Sequence, residues 1–438
     1  VTAFSECATM TKAAGDATLI NAPANEGTYY IYVIDAAGNV SAASTETVTV
    51  DNTAPTNQNA VLTSSATVKG GTEIVISSSG VATNSVWLAA SGKTLSEQFT
   101  ACATMTKAVD GVTSPILAPA TEGDYKLYVL DGVGNVSSAS TNIVRVDNTA
   151  PNNENTVLKA SVTAMGGTQV TITPSAASDT IWLAPLGTSS FASNTSTITV
   201  ASGTANSITA PLNEGDYRIY IIDAAGNLSD ASDATVTVDN SRPTHQDIVL
   251  PNSKTVKGGV DISIVPSDPS FTVWLAPFGT TSFAEGPTMT RAIESASLIK
   301  SPASDGEYKL YVINLVGNYS DPSIATVTVD NIAPDNQNIV LSSSKIVKGN
   351  VNVTIVPTGN STDTIWLAPS GTTVFTAGTN MTKVAGNLNT ILSPGDEGDY
   401  KLFVIDAAGN VSQASNATVR VDNTPPTADV TCVPIGPY

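Results

Sequence analysis

The stretch VNVTIVPT (Val351–Thr358) alternates apolar and polar side chains with period two, the pattern of a strand with one face buried. DTIWLAP (Asp363–Pro369) reads as a second strand, closed by Pro-Ser-Gly. GDYKLFVID (Gly398–Asp406) reads as a third, with Tyr400, Leu402 and Val404 on one face. The turn AAG (Ala407–Gly409) follows, and NVSQASNATVRV (Asn410–Val421) is predicted to return as a strand. Asp, two small residues and Gly are the chemistry of a tight hairpin, because Gly takes positive φ at little cost. Short strands between turn signals, with no helical period, predict an antiparallel β-sandwich of roughly 90 residues.

The block recurs. VTVDNTAPT (Val48–Thr56) returns as VRVDNTAPN at Val144–Asn152, VTVDNSRPT at Val236–Thr244, VTVDNIAPD at Val327–Asp335 and VRVDNTPPT at Val419–Thr427. Its shared residues Asp51, Asp147, Asp239, Asp330 and Asp422 lie 96, 92, 91 and 92 positions apart (147−51, 239−147, 330−239, 422−330). A sustained period of this length decides architecture before local propensity does. It divides the chain into the second half of a domain (1–50), four full domains (51–146, 147–238, 239–329 and 330–421) and a tail (422–438) that opens a further repeat.

Each full repeat carries one Trp in the same setting: Trp87 in VWLAA, Trp182 in IWLAP, Trp274 in VWLAP and Trp366 in IWLAP. A single large aromatic flanked by Ile or Val and Leu is expected to fill the space between two sheets rather than to stack on carbohydrate. Tyr125, Tyr217 and Tyr400 in EGDY, and Tyr308 in DGEY, stand where a penultimate strand begins. That position suits a tyrosine corner, whose hydroxyl ties the strand start to upstream backbone.

Composition narrows the function. With 19 Lys+Arg among 438 residues and a formal charge of −19, the chain lacks the cationic stripe that nucleic-acid binding needs. No apolar run approaches the roughly 20 residues of a membrane-spanning helix. One His and three Cys leave little for metal sites of those ligands. Low Lys and Cys with abundant Thr, Asn and Ser fit an exported, extracellular or cell-surface protein. Enzymatic readings fail on inventory: His245 stands alone in a linker position, Ser and Thr without a base are not nucleophiles, and carboxylate pairs recur once per repeat.

EGDYKLYVLDGVGNVSSAS…VRVDNTAP (Glu122–Pro151) resembles the bacterial immunoglobulin-like repeats of large secreted adhesins and surface fibres, and the likeness extends over almost the whole chain. The resemblance implies an all-β tandem array of immunoglobulin-like antiparallel β-sandwich domains forming an elongated rod. It also implies calcium at the junctions. Carried over residue by residue, the candidate ligands are the linker residues Asp51, Asp147, Asp239, Asp330 and Asp422 and the hairpin residues Asp35, Asp131, Asp223 and Asp406. The acids of EGDY are a third oxygen source toward the six to eight oxygens that Ca²⁺ needs. The third full repeat departs from the pattern, with Asn314 at the hairpin position. The alternative is plain turn chemistry stiffened by Pro, since Asp-Asn and Asp-x-x-Gly are common turn formers.

The ends do not match. CATMTKAAGDATLINAPANEGTYYIYVIDAAGNVS (Cys7–Ser41) parallels CATMTKAVDGVTSPILAPATEGDYKLYVLDGVGNVS (Cys102–Ser137), so residues 1–50 lack the Trp strand and all that precedes it. Half a sandwich exposes an apolar face and unpaired edges. Either the chain is cut from a longer array, or a neighbouring chain completes the half domain as in donor-strand addition, giving a head-to-tail filament of copies of itself. The tail of 17 residues (438−422+1) is too short to replace the missing half. Three cysteines, Cys7, Cys102 and Cys432, suggest an intermolecular bridge from Cys432 to Cys7 or Cys102, against the alternative of three buried, unpaired thiols. Cys7 and Cys102 occupy equivalent positions one domain apart and are too distant to bridge each other.

Asn39, Asn135, Asn227, Asn318 and Asn410 all read as Asn-x-Ser after the hairpin Gly, acceptor sequons exposed by position, although a strand start after a turn explains them without a sugar. The VKGG turns at Val68–Gly71 and Val256–Gly259 lack the following helix of a phosphate loop. The sequence therefore points to a structural filament subunit. A stalk of an adhesin is the alternative, its ligands on host surface or matrix falling to other parts of a longer precursor.

Overall fold

The computed structural model describes residues 3–108, 115–292 and 296–427. It divides into two compact units, Val1–Val238 and Asp239–Tyr438.

In the second unit, residues 330–421 show how each full repeat is built. A single helical turn, Gln337–Val340, leads into seven strands. Five form one sheet in the order Lys345–Val347, Thr418–Val421, Gly398–Ile405, Thr364–Pro369, Thr382–Ala385; the other two, Asn352–Thr354 and Thr390–Leu392, pair antiparallel to each other. Residues 239–329 repeat the plan in the second unit, as do 51–146 and 147–238 in the first. This is the immunoglobulin-like β-sandwich in tandem. The strand pairs run antiparallel with one exception per repeat: Lys345–Val347 lies parallel to Thr418–Val421, as Ala66–Val68 does to Ile143–Val146.

The inter-sheet core comes from alternate residues. Val353, Ile365, Leu367, Ile391, Tyr400, Leu402, Val404 and Val419 cluster there with Val340 and Leu341, which the helical turn drops onto the open end. Burying each such side chain stabilises by about 1.5–3 kcal/mol.

The tryptophans are not in that core, which corrects the sequence expectation. Trp366 and Ala368 face the other side of the five-stranded sheet, in a second cluster with Phe403, Phe375 and Met381. Phe375 packs 5.5 Å from Trp366 and 5.1 Å from Phe403, centroid to centroid. The indole N–H donates to Thr364 Oγ1 at 3.1 Å, and Lys383 Nζ lies 5.5 Å from the ring centre. The same trio appears as Trp87–Phe99–Tyr128, Trp182–Phe191–Tyr220 and Trp274–Phe283–Tyr311. The inner strand Thr364–Pro369, buried on both faces, sends Ile365 and Leu367 inward and Trp366 outward, because successive side chains alternate.

The tyrosine corners form as expected. The hydroxyls of Tyr125, Tyr217, Tyr308 and Tyr400 donate to the carbonyls of Thr121, Asn213, Ser304 and Asp396 at 2.8–2.9 Å. Burial pushes each of the four phenols up from its ordinary value. Tyr217→Phe is expected to cost about 1 kcal/mol, seen as faster amide exchange within residues 215–238 and nowhere else.

The return strand after the hairpin differs from expectation: regular pairing resumes only at Thr418–Val421. Before it, serine hydroxyls accept the amides of the neighbouring strand: Ser415 Oγ accepts the Leu402 N–H and Ser412 Oγ the Val404 N–H, both at 2.9 Å. The side chains replace ladder carbonyls, which releases the backbone to bend.

In the first unit, within residues 3–50, Gly27–Tyr30 pairs with Thr47–Val50, and among the described residues no other strand joins them. Val33 is 67% exposed, whereas its counterpart Val129 is fully buried.

Candidate functional site

Two features recur or stand out as functional: the seams between consecutive repeats, and the open face of residues 3–50.

The seam is built from the Asp-Asn-Thr linker. In the first unit, the Asp147 carboxylate accepts the N–H of Thr149 at 3.0 Å, an Asx turn that bends the exit of the domain. Asn148 then ties three elements of its own domain. Its Nδ2 donates to Ala120 O at 3.0 Å, its Oδ1 accepts Gly70 N–H at 2.8 Å, and its backbone N–H donates to Glu122 at 2.9 Å. The Thr149 hydroxyl donates to the same Glu122 oxygen at 2.6 Å. These bonds, with the Thr149 hydroxyl foremost, hold the Glu122 carboxyl below its ordinary value. The VKGG turn earns its glycine here, since a Cβ on Gly70 would sit 2.7 Å from Ala120 O. Gly258 and Gly349 meet Ala303 O and Gly395 O at 2.5 and 2.7 Å in the same way.

The next domain closes the seam with the hairpin Asn. Asn227 Nδ2 donates both to the Asp147 carbonyl and to its own hairpin Asp223, at 2.9 Å each. Asp223 Oδ1 also accepts the Asn227 backbone N–H at 2.8 Å. Asn135 on Asp51 repeats this in the first unit, and Asn318 on Asp239 and Asn410 on Asp330 repeat it in the second. The hairpin carboxylate thus holds an amide against the preceding linker's carbonyl. Asn314, the exception, accepts the Asn318 N–H through Oδ1 at 2.9 Å, and the bond across the seam survives at 2.7 Å.

This geometry bears on two expectations. Asn227, Asn318 and Asn410 are 2, 4 and 5% exposed with their amides engaged, so they are not the exposed glycan acceptors their position suggested. The linker and hairpin aspartates are engaged in local turn bonds. Asp35, Asp131, Asp223 and Asp406 turn both oxygens onto N–H donors of their own hairpin. Asp51, Asp147, Asp239, Asp330 and Asp422 each cap an Asx turn. Among the described residues no three His, Cys, Asp or Glu side chains converge. Thermal midpoints measured in 2 mM calcium, a concentration on the order of the weakest extracellular sites, and in excess chelator are expected to coincide.

The pH response follows from the same bonds. The Asn39 side chain holds the Asp35 carboxyl down. Burial pushes Asp131 up, but the bonds from Asn135, Val133 and Gly134 outweigh it and leave it lowered. A carboxylate depressed by folding stabilises fully above its unfolded value, about 3.9, and loses that contribution as pH falls through the lower folded value. The first unit is therefore expected to keep its thermal midpoint from pH 7 to 5 and to lose stability below about pH 4.

The open face lies on residues 3–50. Phe4, Met10, Ile20, Pro23, Tyr30, Ile31, Tyr32 and Val48 line a cleft of about 280 Å³. Phe4 and Tyr32 already pack edge to face at 5.3 Å, the pair that Phe99 and Tyr128 make beneath Trp87. Cys7 and Cys102 are free and exposed, each thiol 3.3 Å from a Thr hydroxyl two residues on, which lowers its pKa. They are therefore not the buried thiols of the alternative reading. Cys432 lies outside the described residues.

Sequence reasoning missed the seam Asn and the Phe of the outer cluster. The Phe had a signal: it follows Trp by nine residues in three repeats (191−182, 283−274, 375−366) and by twelve in the first (99−87).

No protein-family model matches the chain, and no curated protein does. Among solved structures, the FN1–FN3 domains of chicken CNTN1 are similar at 12% identity, covering 68% of this chain and 94% of that one, with a TM-score of 0.27. The titin I-band fragment I67–I69 is similar at 13% identity over 60% of this chain and 96% of that one, with a TM-score of 0.20. The Bacteroides ovatus SGBP-B, solved with a mixed-linkage heptasaccharide, covers 78% of this chain and 88% of its own at 14% identity and a TM-score of 0.17. Scores this low carry no argument about function. The immunoglobulin-like fold rests on the strand order above.

Proposed function

We propose that this chain is a subunit of an extracellular, cell-surface filament, a structural protein whose tandem sandwiches span distance and whose mismatched ends join subunits head to tail. One observation carries the reading: within each unit an Asn amide fixes a repeat to the carbonyl of the linker before it, which suits a load-bearing tandem array. The exposed thiols of Cys7 and Cys102 suit a bridge to Cys432 of another subunit.

Electron microscopy of native material beside reducing and non-reducing gels tests this. Continuous filaments and a ladder that reduction collapses are the expected result, with the ladder lost in Cys432→Ser. Separate molecules and a single band on both gels would leave the adhesin stalk as the better reading.

A further inference from the structure

The chain holds ten Asn-x-Ser or Asn-x-Thr sequons, and they differ in what each carboxamide does. In seven of them the Asn Nδ2 already donates within the protein. Asn39, Asn135, Asn227 and Asn410 donate to the carboxylate of their hairpin Asp, and Asn318 donates to the Asp239 carbonyl. Asn194 donates to Thr197 Oγ1 and Asn360 to Asp363 Oδ1, both at 3.0 Å. The other three are Asn352, Asn380 and Asn416. Each is exposed, and among the described residues its side chain makes no hydrogen bond. All three read Asn-x-Thr, and all three lie in residues 330–421.

The fold explains why these three face solvent. Asn352 and Thr354 share the outer face of their strand, on either side of Val353, which enters the inter-sheet core. The other repeats place Glu73, Gln169 and Asp261 at the position of Asn352, all exposed. Asn380 sits in the tight turn that Gly378 N–H closes on Met381 O at 2.8 Å, where Thr104 and Thr288 are likewise exposed. Asn416 stands where Ile324 is 84% exposed, its backbone N–H pinned to Asn338 Oδ1 at 2.7 Å.

We propose that Asn352, Asn380 and Asn416 carry N-linked glycans and that the seven engaged sequons do not. The donor is an oligosaccharide activated as its polyprenyl pyrophosphate. Asn Nδ2 attacks the sugar C1, the N–C1 bond forms and the C1–O bond breaks; the pyrophosphate leaves with the electron pair and one amide proton is released. A sugar on Asn227 or Asn410 would displace a seam bond, whereas at the three outward sites it displaces none. The glycans therefore fall on residues 330–421 and leave the other full repeats bare. The inference rests on reading the chain as an exported protein, the setting in which such sequons are used.

The test is residue-resolved mass spectrometry of peptides from native material, beside the intact mass of the full chain. Glycopeptides containing Asn352, Asn380 and Asn416, and unmodified peptides for the other seven sequons, are expected. Thr354→Val and Thr418→Val delete the sequon hydroxyl yet keep a β-branched strand former. Each should lose the sugar on its own Asn and leave the other two sites occupied, while Thr354→Ser and Thr418→Ser should keep it. Asn380→Gln should lower the intact mass by one glycan. Any of the three found bare overturns the assignment of that residue. All three bare, a sugar on any engaged sequon, or a sugar that survives Thr354→Val and Thr418→Val would overturn the inference. Bare asparagines in material that still forms filaments would leave the filament reading standing; glycosylated chains that stay separate would refute that reading and leave this one.

Discussion

Trp366→Ala is expected to destabilise residues 330–421 by about 3–5 kcal/mol, the range for truncating a large buried aromatic. Trp366 is 6% exposed, and its loss leaves Phe375 without the ring it packs against at 5.5 Å and Thr364 without the indole donor. The effect should be confined to the outer face at first. Exchange should quicken in Thr364–Pro369 and Gly398–Ile405 before Asn352–Thr354 and Thr390–Leu392, which face the inter-sheet core. Because a tandem protein does not unfold in one step, the measurement is exchange or proteolysis resolved to this repeat rather than a global midpoint. Phe375→Ala should cost less when Trp366 is already Ala, a coupling that adjoining rings show and distant sites do not. Equal acceleration in both sheets would mean that the outer cluster is not a separate body.

The second large effect belongs to the seam. Asn410→Ala removes the side-chain amide that donates to the Asp330 carbonyl and to Asp406 Oδ2, while the backbone N–H to Asp406 Oδ1 remains; residue 410 is 5% exposed, so a carbonyl and one carboxylate oxygen beside it lose their donor. An abandoned buried acceptor costs about 1–3 kcal/mol and a charged one more. About 2–4 kcal/mol of local stability should vanish, read as faster exchange in the linker and in residues 405–411. Asn410→Asp should be worse, since it sets a second carboxylate against Asp406. Asn318→Ala should cost less than Asn410→Ala, because Asn314 presents a neutral amide where Asp406 presents a charge. The order Asp, Ala, native at residue 410 distinguishes a hydrogen-bonded seam from one that merely fills space.

Much of the fold was legible because periodicity was. The alternation of Val351–Thr358 and the return of Asp-Asn-x-x-Pro fix a sandwich and its repetition, and EGDY places the tyrosine corner. What was hidden is instructive. TIWLAP carries apolar residues at successive positions, so a strand buried on both faces shows no alternation, and nothing in it says which side Trp366 takes. The parallel pairing of Lys345–Val347 is a long-range choice that a three-residue strand cannot signal. Ser412 and Ser415 look like ordinary polar positions, yet they replace ladder carbonyls. The seam hid behind a plausible motif: Asp at hairpin and linker suggests a cation, and nothing in the sequence says that the Asn four residues after each hairpin Asp donates to that carboxylate and to the linker carbonyl before it.

The account turns on the seam Asn holding each repeat, within its unit, to the linker before it. The most direct measurement is NMR of the side-chain amides of Asn227 and Asn410. Slowly exchanging, shifted NH₂ resonances that vanish in Asn227→Ala and Asn410→Ala are the predicted result. Rapid exchange at the solvent-exposed rate would contradict the account.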